Sequence, residues 1–98
     1  MLVHSVFFWL KPGLGEEEFA KFRQGLESLA GIEEAEAVYV GVPAETDRPV
    51  IDRSYTFGLT VLLADMAAHD AYQVHPLHKA FLENFAQDWD RVLIYDAI

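Results

Sequence analysis

Residues 2–10, LVHSVFFWL, carry large apolar side chains at both odd and even positions. A strand points successive side chains to opposite faces, so a run that is apolar on both must be covered on both. Lys11-Pro12-Gly13 then closes the run with a turn signal. The stretch from Val6 to Leu10 has no lysine or arginine ahead of it and no small-residue cleavage signal behind it. It is also far shorter than the roughly 20 apolar residues a membrane helix needs. It is therefore predicted to be a buried central strand.

The rest of the chain alternates between helical and strand periodicity. In residues 15–31, Phe19, Phe22, Leu26 and Leu29 recur at three- and four-residue spacing, which predicts a helix with one apolar face. Glu16, Glu17 and Glu18 sit in its first turn, where carboxylates suit the helix dipole, and Gly31 is placed to end it as a C′ residue. Residues 35–42 read as a second strand, 43–52 as a polar loop and 53–63 as a third strand. In that third strand Tyr55, Phe57, Leu59, Val61 and Leu63 share one face.

A second helical region spans about 66–86, with Asp65 as its cap. Pro76 lies inside it, and proline both lacks an amide donor and clashes with the carbonyl four residues back. The region is predicted to break in two near His75. Residues 91–98 form the fourth strand.

The order β-α-β-β-α-β is that of a ferredoxin-like α+β sandwich in one domain, residues 1–98: a four-stranded antiparallel sheet with its helices on one face. The other face has no element of the chain to cover it. Phe7, Trp9, Val38 and Val40, or the residues alternating with them, are expected there. An apolar sheet face of that size needs a partner, and a second copy related by a two-fold axis is the simplest one. A homodimer packed sheet to sheet is the expectation.

Composition narrows the partners further. With 16 acidic and 7 basic residues the net charge is −9, and the basic residues are scattered, which argues against nucleic acid or an anionic membrane. There is no cysteine, so disulfides and thiol chemistry are excluded, and a cytoplasmic location fits. No determinant for a flavin or a haem is present, and no cofactor is expected.

The chemistry-bearing residues cluster in Asp70–Phe81, DAYQVHPLHKAF. His78 is a candidate general base, since imidazole takes and returns a proton near neutral pH. Tyr72 is a candidate donor to a developing enolate oxygen. Against this stands a structural account in which His78 braces the helix break through a backbone carbonyl and Tyr72 is packing. His75, held extended by the proline, is assigned an architectural role or a place at the pocket mouth. His4 is either a satisfied core histidine or a cavity group facing His78, on the strand face of Val6 and Phe8. His69 is expected in solvent. A metal pair at His75-x-x-His78 is disfavoured because Pro76 breaks the helix face between them, so no metal is expected. Arg48, Asp52 and Arg53 read as surface pairing, and Asp96 as a strand-edge or dimer-seam residue.

Four segments, HSVFFWL, YTFGLTVLL, AYQVHPLHKAF and VLIYD, together resemble the stress-responsive α/β-barrel family, a dimeric α/β-barrel group within the ferredoxin-like fold. The resemblance spans essentially the whole chain, and the Tyr-x-x-His-Pro-x-His run is its most specific part. From about residue 55 to 97 the chain is similar to a plant member, olivetolic acid cyclase, which closes a linear polyketide by aldol condensation. That resemblance implies catalytic roles for Tyr72, His78 and His4. It implies pocket walls at Leu59, Phe81, Trp89 and Ile94; Val6, Phe8, Phe22 and Leu26 are expected beside them as further substrate-binding residues. The plant enzyme has a tyrosine where this chain has Leu26 and a histidine where it has Phe57, so its substrate is not carried over. Two functions stand as expectations. One is cofactor-independent acid–base chemistry on a carbonyl or polyketide-like compound, of lyase or cyclase type. The other is a non-catalytic dimeric module that binds a hydrophobic small molecule or contributes to stress tolerance.

Overall fold

A computed structural model describes all of residues 1–98. The elements run β1 (Leu2–Leu10), α1 (Glu16–Ser28), β2 (Ala35–Gly41), β3 (Phe57–Leu63), α2 (Met66–Val74), α3 (Pro76–Phe85) and β4 (Trp89–Ala97). Single 3₁₀ turns at Leu29–Gly31 and Ala86–Asp88 extend α1 and α3. The strands form one antiparallel sheet in the order β2-β3-β1-β4, so β1 and β3 are central, as the doubly apolar first run requires. No helix is long and apolar enough to cross a membrane.

Even positions of β1 (Leu2, His4, Val6 and Phe8) and odd positions of β3 (Phe57, Leu59, Val61 and Leu63) face the helices and are buried. Phe22 and Leu26 of α1 close over them and are completely buried, as are Leu29, Ile32 and Tyr72 to within 1%. The rings of Phe22 and Phe57 stack at 5.6 Å, and Phe8 meets Phe22 edge to face at 5.3 Å. Such aromatic pairs add directional preference to the area they bury.

Three expected boundaries differ, each for a local reason. Gly31 does not end α1 in a left-handed conformation. Leu29 continues in the right-handed region into the 3₁₀ turn, and the only positive φ in the chain is at Gly13, 94°, in the turn before α1. β3 starts at Phe57 rather than 53 because Asp52 accepts the Ser54 amide at 2.8 Å, holding a turn, while the Ser54 hydroxyl accepts from Trp9 Nε1 at 3.0 Å. β4 starts earlier, at Trp89, where the register with β1 shifts between Trp9 and Leu10.

The uncovered face of the sheet holds Phe7 and Trp9, as expected, with Tyr55 packed on Phe7 at 5.0 Å and Arg91 over Trp9 at 4.1 Å. Val38 and Val40 are a correction. Their ladder partners are the buried Val61 and Leu59, so both pack on the helix side, and the alternating Tyr39 takes the open face, paired with Thr60. Tyr39 and Tyr95 are 65% and 62% exposed on that face.

The helix break falls where the proline dictates. His75, at φ −63° and ψ 143°, is at once the last cap of α2 and the first cap of α3, with Pro76 at the first helical position. Its Nδ1 accepts the Leu77 amide at 3.1 Å, and Nε2–H donates to Glu33 Oε2 at 3.1 Å. Glu33, hydrogen-bonded by its own backbone amide and then by His75, is held below the usual carboxylate range. Asp65 caps α2 by accepting the Ala68 amide at 2.9 Å. His75 is thus occupied on both nitrogens by architecture.

Candidate active site

Splitting the second helix turns α3 out of the line of α2, and a cavity of about 200 Å³ lies between the two pieces, β1 and β4. Ten of its thirteen wall residues are hydrophobic. The other three are His4, Gln73 and His78, and Tyr72, counted among the ten, adds a hydroxyl. Apolar pockets with a few convergent polar groups are the usual form of a small-molecule site.

Tyr72 and His78 come from opposite sides of the break, and their rings meet edge to face with centroids 5.1 Å apart. Neither Tyr72 Oη nor His78 Nδ1 has a hydrogen-bond partner, although both atoms are closed off from solvent. Buried polar atoms without partners are uncommon because each forfeits a hydrogen bond it had in water. Burial pushes the Tyr72 phenol well above its ordinary range. Burial also lowers His78 below the usual imidazole value, with the nearby His4 as a lesser cause. Around neutral pH the pair is therefore a neutral phenol that can donate and a neutral imidazole that can accept.

His4 is only 2% exposed and also reaches the cavity. Its Nδ1–H donates to Asp96 Oδ1 at 2.5 Å, and its ring stands 5.7 Å from Tyr72. His4 is thus both a satisfied core histidine and a cavity group. The register that pairs β1 with β4 puts Asp96 directly across from His4. Asp96 lies on an edge strand, as expected, and its carboxylate turns to the helix side, where it holds the cavity residue His4. His69 is not in open solvent. Just before Tyr72 on α2, its side chain is 15% exposed, 5.4 Å from the His4 ring and 3.6 Å from Asp96 Oδ2. Sequence reasoning assigns neither Asp96 nor His69 to the site. The signal for them is Asp96 continuing the Val92–Ile94 alternation, and the three-residue spacing from His69 to Tyr72.

Of the expected walls, Val6, Phe8, Leu59, Phe81, Trp89 and Ile94 do line the cavity. Phe22 and Leu26 do not. They are packed under α1 against the sheet with no exposed surface, because α1 crosses the β1–β3 side while the cavity opens on the β1–β4 side. Leu29, Leu82 and Val92 are further wall residues. Asp52, paired to Ser54, and Arg48 and Arg53 stand outside this cavity.

Residues 2–98 match the Stress responsive A/B Barrel Domain (Dabb) family. The chain belongs to that family. Among solved structures, a Dabb family protein with a ferredoxin-like fold from Mesorhizobium loti is 27% identical, with a TM-score of 0.80 over 99% of this chain and 94% of that one. A dimeric ferredoxin-like protein of unknown function from Thermobifida fusca is 22% identical, with a TM-score of 0.80 over 98% of this chain and 88% of that one. The hydroxynitrile lyase of Passiflora edulis is 18% identical, with a TM-score of 0.81 over 99% of this chain and 91% of that one. At these identities the last two show a common fold. No curated protein matches the chain. The Dabb fold here thus carries a cavity whose polar groups come from β1, α2 and α3.

Proposed function

We propose that this Dabb protein is a homodimeric, cofactor-independent enzyme that moves a proton on a small, largely apolar carbonyl compound. The observation that carries the proposal is the pair of unpartnered atoms, Tyr72 Oη and His78 Nδ1, at the wall of one apolar cavity. A carbonyl compound that enters as the wall side chains yield brings its oxygen to the Tyr72 O–H, and His78 takes the proton from the adjacent carbon. The electron pair left behind moves onto the oxygen, where the phenol's hydrogen bond strengthens as charge develops. His78 then returns the proton to carbon, or the enolate attacks a second carbonyl in an aldol-type closure and the protonated His78 gives its proton to the alkoxide that forms. The hydrogen bond from His4 to Asp96 fixes the His4 ring at the cavity's end. Bond cleavage next to an oxygen, as in a hydroxynitrile lyase, asks for the same acid–base equipment.

The dimer is supported by the uncovered sheet face with its Phe7, Trp9, Tyr39 and Tyr95 side chains, and by the dimeric Thermobifida fusca protein. Exchange of α-protons for deuterium in a panel of ketones and β-dicarbonyl compounds, monitored by NMR, tests the chemistry. The wild type should accelerate exchange for a subset of compounds, and His78→Ala should abolish the acceleration. Saturable binding with no acceleration by the wild type assigns the cavity to a non-catalytic carrier of hydrophobic ligands instead.

A further inference from the structure

Asp96 lies between two imidazoles. Its Oδ1 is 2.5 Å from His4 Nδ1, and its Oδ2 is 3.6 Å from His69 Nε2. His69 turns its other nitrogen, Nδ1, to the carboxylate of Asp70 at 3.1 Å. When Nδ1–H donates to Asp70, Nε2 of the neutral ring presents a lone pair toward Asp96. The Gln73 amide nitrogen, 3.4 Å from the same Nε2, donates to that lone pair only weakly at this distance, so a positive species between Nε2 and the Asp96 carboxylate can displace it. A proton is one candidate and a metal ion the other.

We propose that His4, His69 and Asp96 form a binding site for a divalent first-row transition metal of the zinc type, beside the cavity. The ligand atoms, one from each residue, all lie within 4.8 Å of one another. Zinc bonds to nitrogen and carboxylate oxygen are about 2.0–2.2 Å, which in tetrahedral geometry sets ligand atoms about 3.3–3.6 Å apart. His69 Nε2 and Asp96 Oδ2, 3.6 Å apart, meet that spacing, while His4 bonds the other oxygen, Oδ1, so a single ligating oxygen requires the carboxylate to turn. The pair His4–Asp96 must open by roughly 1 Å as the metal replaces the proton between them. Asp96 can supply that movement, because its side chain is 38% exposed and sits on β4, at the edge of the sheet. Two imidazoles and one carboxylate favour zinc-type ions over magnesium and calcium, which prefer oxygen. Three protein ligands leave a fourth position open to water or a ligand. Asp70 supplies the outer carboxylate that orients a metal-bound histidine.

This site draws on His69 and Asp96 and does not depend on the proton-transfer chemistry assigned to Tyr72 and His78. The test is a titration of untagged protein with Zn²⁺ by calorimetry and with Co²⁺ by visible absorption. The expected result is one ion per protomer, with Co²⁺ bands of tetrahedral intensity. His69→Ala and Asp96→Asn should each weaken binding by about tenfold or more. His75→Ala, which disrupts the separate surface cluster of Glu33, Glu34 and His75, should leave it unchanged. His69 is partly open to solvent, so His69→Ala carries the test alone if Asp96→Asn proves unstable. Absence of saturable binding, or binding that survives His69→Ala and is lost in His75→Ala, overturns the proposal.

Discussion

His4 and Asp96, 92 residues apart in the chain, are joined by a 2.5 Å hydrogen bond beside the cavity that His4 lines. The antiparallel register of β1 and β4 sets them opposite each other. Asp96→Ala removes the acceptor and strands the buried His4 Nδ1–H. The expected cost is about 1–3 kcal/mol, the usual penalty for orphaning a buried polar group. Urea unfolding of the variant against the wild type measures it, and an unchanged midpoint would show that water replaces the carboxylate at no cost.

Burial holds the His78 imidazole below its ordinary pKa, so the folded state binds its proton less readily than the unfolded chain does. The contribution is fully present above the unfolded value of about 6.5 and is lost as pH falls through it toward the folded value. The His78 ring signals in an NMR titration should have their midpoint below about 6.5. His78→Phe should flatten the part of the stability profile that falls between the unfolded value and that midpoint.

Gly25 faces the Phe85 ring so closely that an added Cβ would stand 2.4 Å from it. Alanine is the better helix former by about 1 kcal/mol, yet that gain is set against forcing an aromatic ring out of its packing, at about 1–3 kcal/mol. Gly25→Ala is therefore expected to lower the melting temperature despite the improved propensity. A rise would mean that Phe85 swings away freely.

Phe7 stands on the sheet face that no helix covers, with Tyr55 against it. Phe7→Glu places a charge at the centre of the proposed dimer interface, where desolvating an unpaired carboxylate costs several kcal/mol. Light scattering coupled to gel filtration should report a dimer for the wild type and a monomer for the variant.

The fold is legible in the sequence because its signals are local and redundant. The period change from strand to helix, the cap at Asp65 and the break at Pro76 each act within a few residues. The inner face of β2 is not legible. Alternation alone cannot tell which of two faces is inner, and only the pairing of Val38 with Val61 decides it. The site divides the same way. Tyr72 and His78 share a short motif across a proline and can be found from it. Asp96 and His69 reach the site through the register of β1 with β4 and the packing of α2, which are long-range facts. Phe22 and Leu26 read as wall residues because an apolar helix face looks the same whether it lines a space or fills one.

The central claim is that His78 accepts a proton while Tyr72 donates a hydrogen bond in one cavity. Its most direct test is the rate of α-proton exchange on a bound carbonyl compound in wild type, His78→Ala and Tyr72→Phe. Removing the base should abolish the acceleration, and removing the phenol hydroxyl should reduce it by about 10²–10³, the usual effect of deleting one donor to a developing oxyanion. Ligand affinity in both variants should change far less. Equal exchange rates in all three proteins, with the ligand bound in the cavity, would contradict the account.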